Sequence, residues 1–100
     1  MAAAMRSSPI EKTLIELATL LESVDEARIA ETPRRLASEI SQAHGEDAYR
    51  AAVRKVVRLF GGMGSFQDVV LQTREGVRPE QAEFERLRDR LFQETKQEVR

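Results

Sequence analysis

The chain has 100 residues, of which 41% are hydrophobic and 33% charged, with a formal net charge of -1 and no cysteine. This length suits one domain around one hydrophobic core, and the composition is typical of a helix-rich globular protein. The lack of cysteine excludes disulfides, thiolate nucleophiles and cysteine-ligated zinc, and it fits a reducing compartment. We expect a disordered N-terminus over residues 1–8 and a single helical domain over residues 9–100.

Two partner classes are disfavoured by charge and hydropathy. A net charge of -1 argues against nucleic acid as a partner, because binding to phosphates needs a basic surface. No segment has the length and apolar character of a membrane span or a signal peptide. The sequence therefore predicts a cytoplasmic protein that binds neither nucleic acid nor membrane.

The first predicted helix begins at Ser8 and runs to about Val24. Ser8 is the predicted N-cap, Pro9 the first helical residue and Glu11 the acid three residues after the cap. An apolar stripe at helical spacing predicts the buried face: Ile10, Leu14, Leu17, Leu21 and Val24. Ile15 lies off this stripe, so we expect it to make a second buried contact or a subunit contact.

Residues 24–32 fit either a short helix or a continuation of the first helix. Thr32 as N-cap and Pro33 as first residue predict the start of the next helix. His44 and Gly45 predict its end. His44 is the only histidine, and without a second histidine or a cysteine we expect no metal site there.

A further helix is predicted from Glu46 to Phe60. Arg50, Arg54 and Arg58 recur every four residues on the side opposite its apolar stripe, and like charges at this spacing repel. One interpretation is a docking stripe for an acidic partner or a phosphate-bearing ligand. The other is an ordinary solvated helix face, which is the more common role of a run of charged residues.

Three of the five glycines lie within residues 61–64, which predicts a sharp turn after the third helix. Ser65 and Asp68 then fit the cap and the acid of a helix start. The simplest interpretation is a tight turn that places Met63 and Phe66 in the core. Alternatively, these two side chains face a protein partner. A phosphate site on free loop amides is the third interpretation, although the lysine and threonine of a P-loop are missing.

Residues 69–73 carry conflicting signals. Ser65 and Asp68 favour a helix, whereas the β-branched residues Val69 and Val70 favour a strand. Because a lone strand has no partner in a helical chain, we favour a short helix that grades into extended chain. The last helix is predicted from Pro79 or Glu80 nearly to the end of the sequence.

The segment Gly-Gly-Met-Gly-Ser-Phe-Gln-Asp-Val-Val-Leu, residues 61–71, resembles a motif of a family of small, uncharacterised bacterial proteins. Gln67 and Val69 stand where Asn and Leu are common in that motif. The resemblance is specific over these residues and generic elsewhere. It implies a bacterial cytosolic protein and brings no catalytic residues with it. Similar small domains include suspected immunity-type partners of toxins, so the resemblance adds that role as an expectation.

Together these patterns predict an all-α protein, a compact bundle of four principal helices with one or two short extra helices. The leading functional hypothesis is an interaction protein, not an enzyme, that binds a protein partner or itself as a homodimer. The alternative is a small-ligand or phosphate-binding module that uses the glycine loop of residues 61–65. No cofactor is expected. The candidate binding residues are Met63, Gly64, Ser65, Phe66, Asp68, Arg54 and Arg58.

Overall fold

The computed structural model describes residues 8–58, 72–73, 76–77 and 79–98. These residues form four helices and a short hairpin: α1 (Pro9–Ser23), α2 (Ala27–Gln42), α3 (Glu46–Val57), β1 (Gln72–Thr73), β2 (Gly76–Val77) and α4 (Gln81–Glu98). The predicted all-α bundle of four principal helices is confirmed. Residues 1–7, predicted to be disordered, and the glycine segment of residues 61–71 lie outside the described ranges.

The four helices pack around one core, in which α1 and α3 each contact both α2 and α4. The predicted stripe of α1 is confirmed, since all five of its members are buried. Ile15 lies off the core and is 41% exposed, so the expected second buried contact is not formed, and a subunit contact stays a prediction. The other three helices contribute the remaining large buried apolar side chains: Leu36, Ile40, Val53, Val56, Phe84, Leu87 and Leu91.

The start of α1 is tied to α3. The Ser8 hydroxyl oxygen accepts a hydrogen bond from the Ile10 amide at 3.2 Å, which confirms Ser8 as the N-cap and Pro9 as the first helical residue. The same hydroxyl is 2.8 Å from the Tyr49 hydroxyl on α3. One serine therefore satisfies a free helix amide and also joins two elements distant in sequence.

A polar cluster joins α1 to α4. Thr13 is fully buried, and its hydroxyl donates to a Glu94 carboxylate oxygen at 2.6 Å and accepts from Arg90 Nε at 3.1 Å. Arg90 also pairs with Glu16 on α1. Because the buried hydroxyl both donates and accepts a hydrogen bond, its burial costs little desolvation free energy. The same bonds fix the position of α4 against α1.

α1 ends in a Schellman motif, which forms the connection to α2. The Glu26 amide donates to the Leu21 carbonyl at 2.8 Å, and the Asp25 amide donates to the Glu22 carbonyl at 3.3 Å. Asp25 has a φ of 65°, the left-handed conformation that this motif requires. Residues 27–32 consequently begin α2, and they neither form a separate short helix nor continue the first one.

The predicted helix start at Thr32 and Pro33 is wrong, because α2 runs through Pro33. Proline lacks an amide hydrogen, so the Ile29 carbonyl loses its usual partner, and an interior proline costs a helix about 3 kcal/mol. This cost is offset by packing, since Pro33 is buried on the same face as Leu36 and Ile40. Burial of the proline ring therefore overrides its local preference for a helix start.

The turn between α2 and α3 lies where His44 and Gly45 predict it. α2 ends at Gln42, and Gly45 is the N-cap of α3 with a φ of 90°, which glycine adopts without strain. His44 is exposed in this turn. α3 ends at Val57, before the predicted end at Phe60, and residues 59–60 lie outside the described ranges.

Gln72 and Thr73 form the strand β1, which agrees with the predicted change to extended chain at the end of residues 69–73, whereas residues 69–71 lie outside the described ranges. β1 pairs antiparallel with β2, so that Gln72 lies opposite Val77 and Thr73 opposite Gly76. The strand partner comes from the chain itself a few residues later, which removes the objection that a strand would be alone. α4 begins at Gln81, one residue after the later of its two predicted starts.

Candidate binding cleft between α2 and α3

The three arginines predicted as a stripe on α3 are all exposed, but they have different surroundings. Arg50 is paired with Glu46 at 3.0 Å within the same helix. Arg54 and Arg58 form no ion pair with any other described residue. Each step of four residues turns a helical stripe by about 40° around the axis, so its members face different directions. Only Arg58 reaches the cleft between α2 and α3.

This cleft has a volume of about 420 Å³. Its lining comes from the outer flank of α2 and the C-terminal end of α3: Thr32, Arg35, Leu36, Glu39, Lys55 and Arg58. Three of these side chains are cationic and one is anionic. The cleft is therefore a basic site on a chain whose formal net charge is -1.

Helical spacing explains how the two walls form. Thr32, Arg35 and Glu39 are separated by three and four residues, so they share one flank of α2 beside the buried Leu36. Lys55 and Arg58 are three residues apart and share a flank of α3 in the same way. The short turn at residues 43–45 brings the two flanks together.

Glu39 bridges the two walls of the cleft. Its Oε1 atom is 2.8 Å from Lys55 Nζ on α3, and its Oε2 atom is 3.9 Å from Arg35 Nε on α2. The Glu39 side chain is 33% exposed, compared with 53% for Lys55 and 62% for Arg35. The carboxylate is thus the most enclosed of the three charged groups. Exposed pairs of this kind contribute about 0–1 kcal/mol each to stability, so the arrangement costs little to rearrange.

Two of the predicted site residues lie within the described ranges. Arg58 is placed in the cleft, and Arg54 is exposed on α3 without being part of the lining. The other predicted residues, Met63, Gly64, Ser65, Phe66 and Asp68, lie outside the described ranges.

Sequence reasoning missed Arg35, Glu39 and Lys55 as site residues. The spacing of Arg35 and Glu39 indicates a pair on one helix face. No local signal shows that Lys55 lies against that face, because the contact between α2 and α3 depends on their packing.

Two further features are absent from the described ranges. No three histidine, aspartate or glutamate side chains there are grouped so that they could hold a metal ion. No helix in the same ranges is both long and apolar enough to cross a membrane.

The four helices and the cleft define a small helical-bundle domain with a basic surface site. Residues 22–80 match the family described as a domain of unknown function (DUF6966), and the chain belongs to that family. No curated protein and no solved structure gives a significant match. The matched residues contain both walls of the cleft, whereas α4 and nearly all of α1 lie outside them. An uncharacterised family agrees with the resemblance, while its glycine motif and bacterial source remain predictions.

Proposed function

We propose that this protein is an interaction module whose α2–α3 cleft binds an acidic segment of a protein partner. One observation carries the proposal: Arg35, Lys55 and Arg58, from two helices, converge on one cleft whose described lining residues include a single acid. The four charged side chains have a net charge of +2, being three cations and one anion. Arg58 is exposed and has no ion-pair partner among the described residues.

The lining also indicates what kind of interaction to expect. The described lining residues include no aromatic side chain, and aromatic anchors supply much of the affinity of tight interfaces. Charged groups at an exposed rim mainly increase association rates and select partners. We therefore expect a transient, salt-sensitive complex. An immunity-type role in a bacterial cytoplasm is the setting we propose for it, on the resemblance alone.

Two other hypotheses rank below this one. A small anionic ligand such as a nucleotide is favoured by the cleft volume of about 420 Å³, since ligand pockets span about 300–1,000 Å³. Such pockets are mostly apolar, however, and Leu36 is the one apolar side chain among the described lining residues. Self-association through α1 rests on the exposure of Ile15, and a single exposed apolar residue is common on protein surfaces.

An NMR titration of the isotope-labelled protein tests the proposal and remains informative for weak complexes. A glutamate-rich peptide should shift amide signals of α2 and α3 around the cleft, and a lysine-rich peptide should not. Arg58→Ala should weaken peptide binding about two- to fivefold, the effect of one exposed ion pair. Arg50→Ala is the matched control, because it removes the same charge from the same helix outside the cleft. Binding should also weaken between about 50 and 200 mM salt as screening increases.

The contrary outcomes are specific. Shifts spread evenly over all four helices, or an equal loss of binding in Arg58→Ala and Arg50→Ala, would contradict a site in the cleft. Stronger and localised shifts with a nucleotide than with the acidic peptide would favour the small-ligand hypothesis instead.

A further inference from the structure

We infer that Glu39 is a built-in competitor for the anionic ligand of this cleft, so that the cleft favours a segment with two acidic side chains over a segment with one. The inference rests on the proposed function and specifies its selectivity. It starts from the position of the Glu39 carboxylate, which lies between the cations of the two helices.

Both oxygen atoms of this carboxylate are already engaged. Oε1 contacts the Lys55 ammonium at 2.8 Å, and Oε2 lies 3.9 Å from the Arg35 guanidinium. A ligand carboxylate would seek the same two cations, because lysine and arginine are donors that carboxylates accept from. Glu39 therefore occupies the place of the first ligand carboxylate within the protein itself.

Charge counting then sets the requirement on the ligand. Arg35, Lys55 and Arg58 contribute +3 and Glu39 contributes -1, which leaves a charge of +2 to be neutralised. A ligand with one acid neutralises Arg58 alone or exchanges places with Glu39, and the exchange creates no additional ion pair. A second acid is needed to use the remaining charge on Lys55 and Arg35. Occupation of the site by an internal group discriminates against weakly charged segments, which is how binding surfaces reject unwanted partners.

The experiment compares Glu39→Gln with Glu46→Gln. Both substitutions remove one negative charge and keep the side-chain shape, but Glu46 pairs with Arg50 outside the cleft. Two peptides serve as probes and differ at one position: one carries two adjacent glutamates, and the other carries one glutamate and one glutamine. NMR titration gives the dissociation constant of each peptide for each protein. Thermal unfolding confirms that the variants remain folded.

In the unchanged protein, the peptide with two glutamates should bind more tightly than the peptide with one. Glu39→Gln should tighten binding of both peptides about two- to fivefold, the worth of one exposed ion pair, because a ligand carboxylate then reaches Lys55 and Arg35 without displacing an internal carboxylate. Glu46→Gln should leave both dissociation constants unchanged. Glu39→Ala should act in the same direction as Glu39→Gln, which shows that the lost charge is responsible rather than the new amide.

Failure of this inference differs from failure of the proposed function. If the peptides bind and Arg58→Ala weakens them, but Glu39→Gln leaves affinity unchanged or lowers it, Glu39 only positions Lys55 and the inference is overturned. If neither peptide binds the unchanged protein or Glu39→Gln, both proposals are overturned. Binding that appears only in Glu39→Gln supports a competitor strong enough to close the site to these peptides.

Discussion

Replacing Asp25 with glycine should stabilise the fold, because Asp25 occupies a conformation that suits glycine better. Its φ of 65° is imposed by the Schellman motif, in which the Glu26 amide reaches back to the Leu21 carbonyl. The Asp25 side chain is exposed and forms no hydrogen bond or ion pair with another described residue. The substitution therefore removes strain and a charge without removing a side-chain contact.

The expected gain combines three effects. The left-handed conformation costs an ordinary L-residue about 1–2 kcal/mol, and somewhat less for aspartate. Glycine loses more backbone freedom on folding than aspartate does, which lowers the free energy of unfolding by about 0.5–1 kcal/mol. A negative charge at the C-terminus of α1 opposes the dipole of that helix by about 0.3–1 kcal/mol, but the same charge precedes the N-terminus of α2 and is favourable there, so the electrostatic change is smaller than this. The net expectation is a gain of about 0.5–1 kcal/mol in the free energy of unfolding, or roughly 2–8 °C in Tm for a domain of this size.

Thermal and urea unfolding, followed by circular dichroism, measure the change, and two further variants separate its causes. Asp25→Asn removes the charge but keeps a residue that tolerates the left-handed conformation, so it should gain only the electrostatic part. Asp25→Ala removes the charge and keeps the backbone strain, so it should be less stable than Asp25→Gly by about 1 kcal/mol. A glycine variant no more stable than the alanine variant would refute the assignment of strain to this residue.

Two side-chain hydrogen-bond networks join α1 to other helices, through Ser8 to α3 and through Thr13 to α4, and each gives a further prediction. Ser8→Ala should lower the free energy of unfolding by about 1–2 kcal/mol, because the helix loses its cap and Tyr49 loses its hydroxyl partner. An unchanged urea midpoint would show that neither bond contributes. Thr13→Val should cost about 1–3 kcal/mol by depriving Glu94 of a buried donor. Thr19→Val, exposed on the same helix, is its control and should stay within about 0.5 kcal/mol of the unchanged protein.

Arg54 and Arg58 were both selected from the sequence, but only Arg58 lines the cleft. The reason is geometric. The spacing of Arg54 and Arg58 shows that both face away from the apolar stripe of α3, and both are exposed. It does not show which of them faces α2, since that depends on the rotation and position of α3 in the bundle. Glu39 and Lys55 are 16 residues apart in sequence, so their contact is likewise a property of packing alone.

The sequence by itself determined helix caps, buried helix faces and turns, because these depend only on residues close together in the chain. The cap at Ser8, the buried stripe of α1 and the turn at Gly45 all follow from spacing and backbone preference, and the structure confirms them. Tertiary structure decided where local preferences conflict with packing. Pro33 lies inside α2 because its ring is buried, and Gln72 and Thr73 are extended because a paired strand follows them. The cleft was also decided by tertiary structure. Its charged side chains come from two helices, and no single segment of the sequence specifies how these helices contact each other.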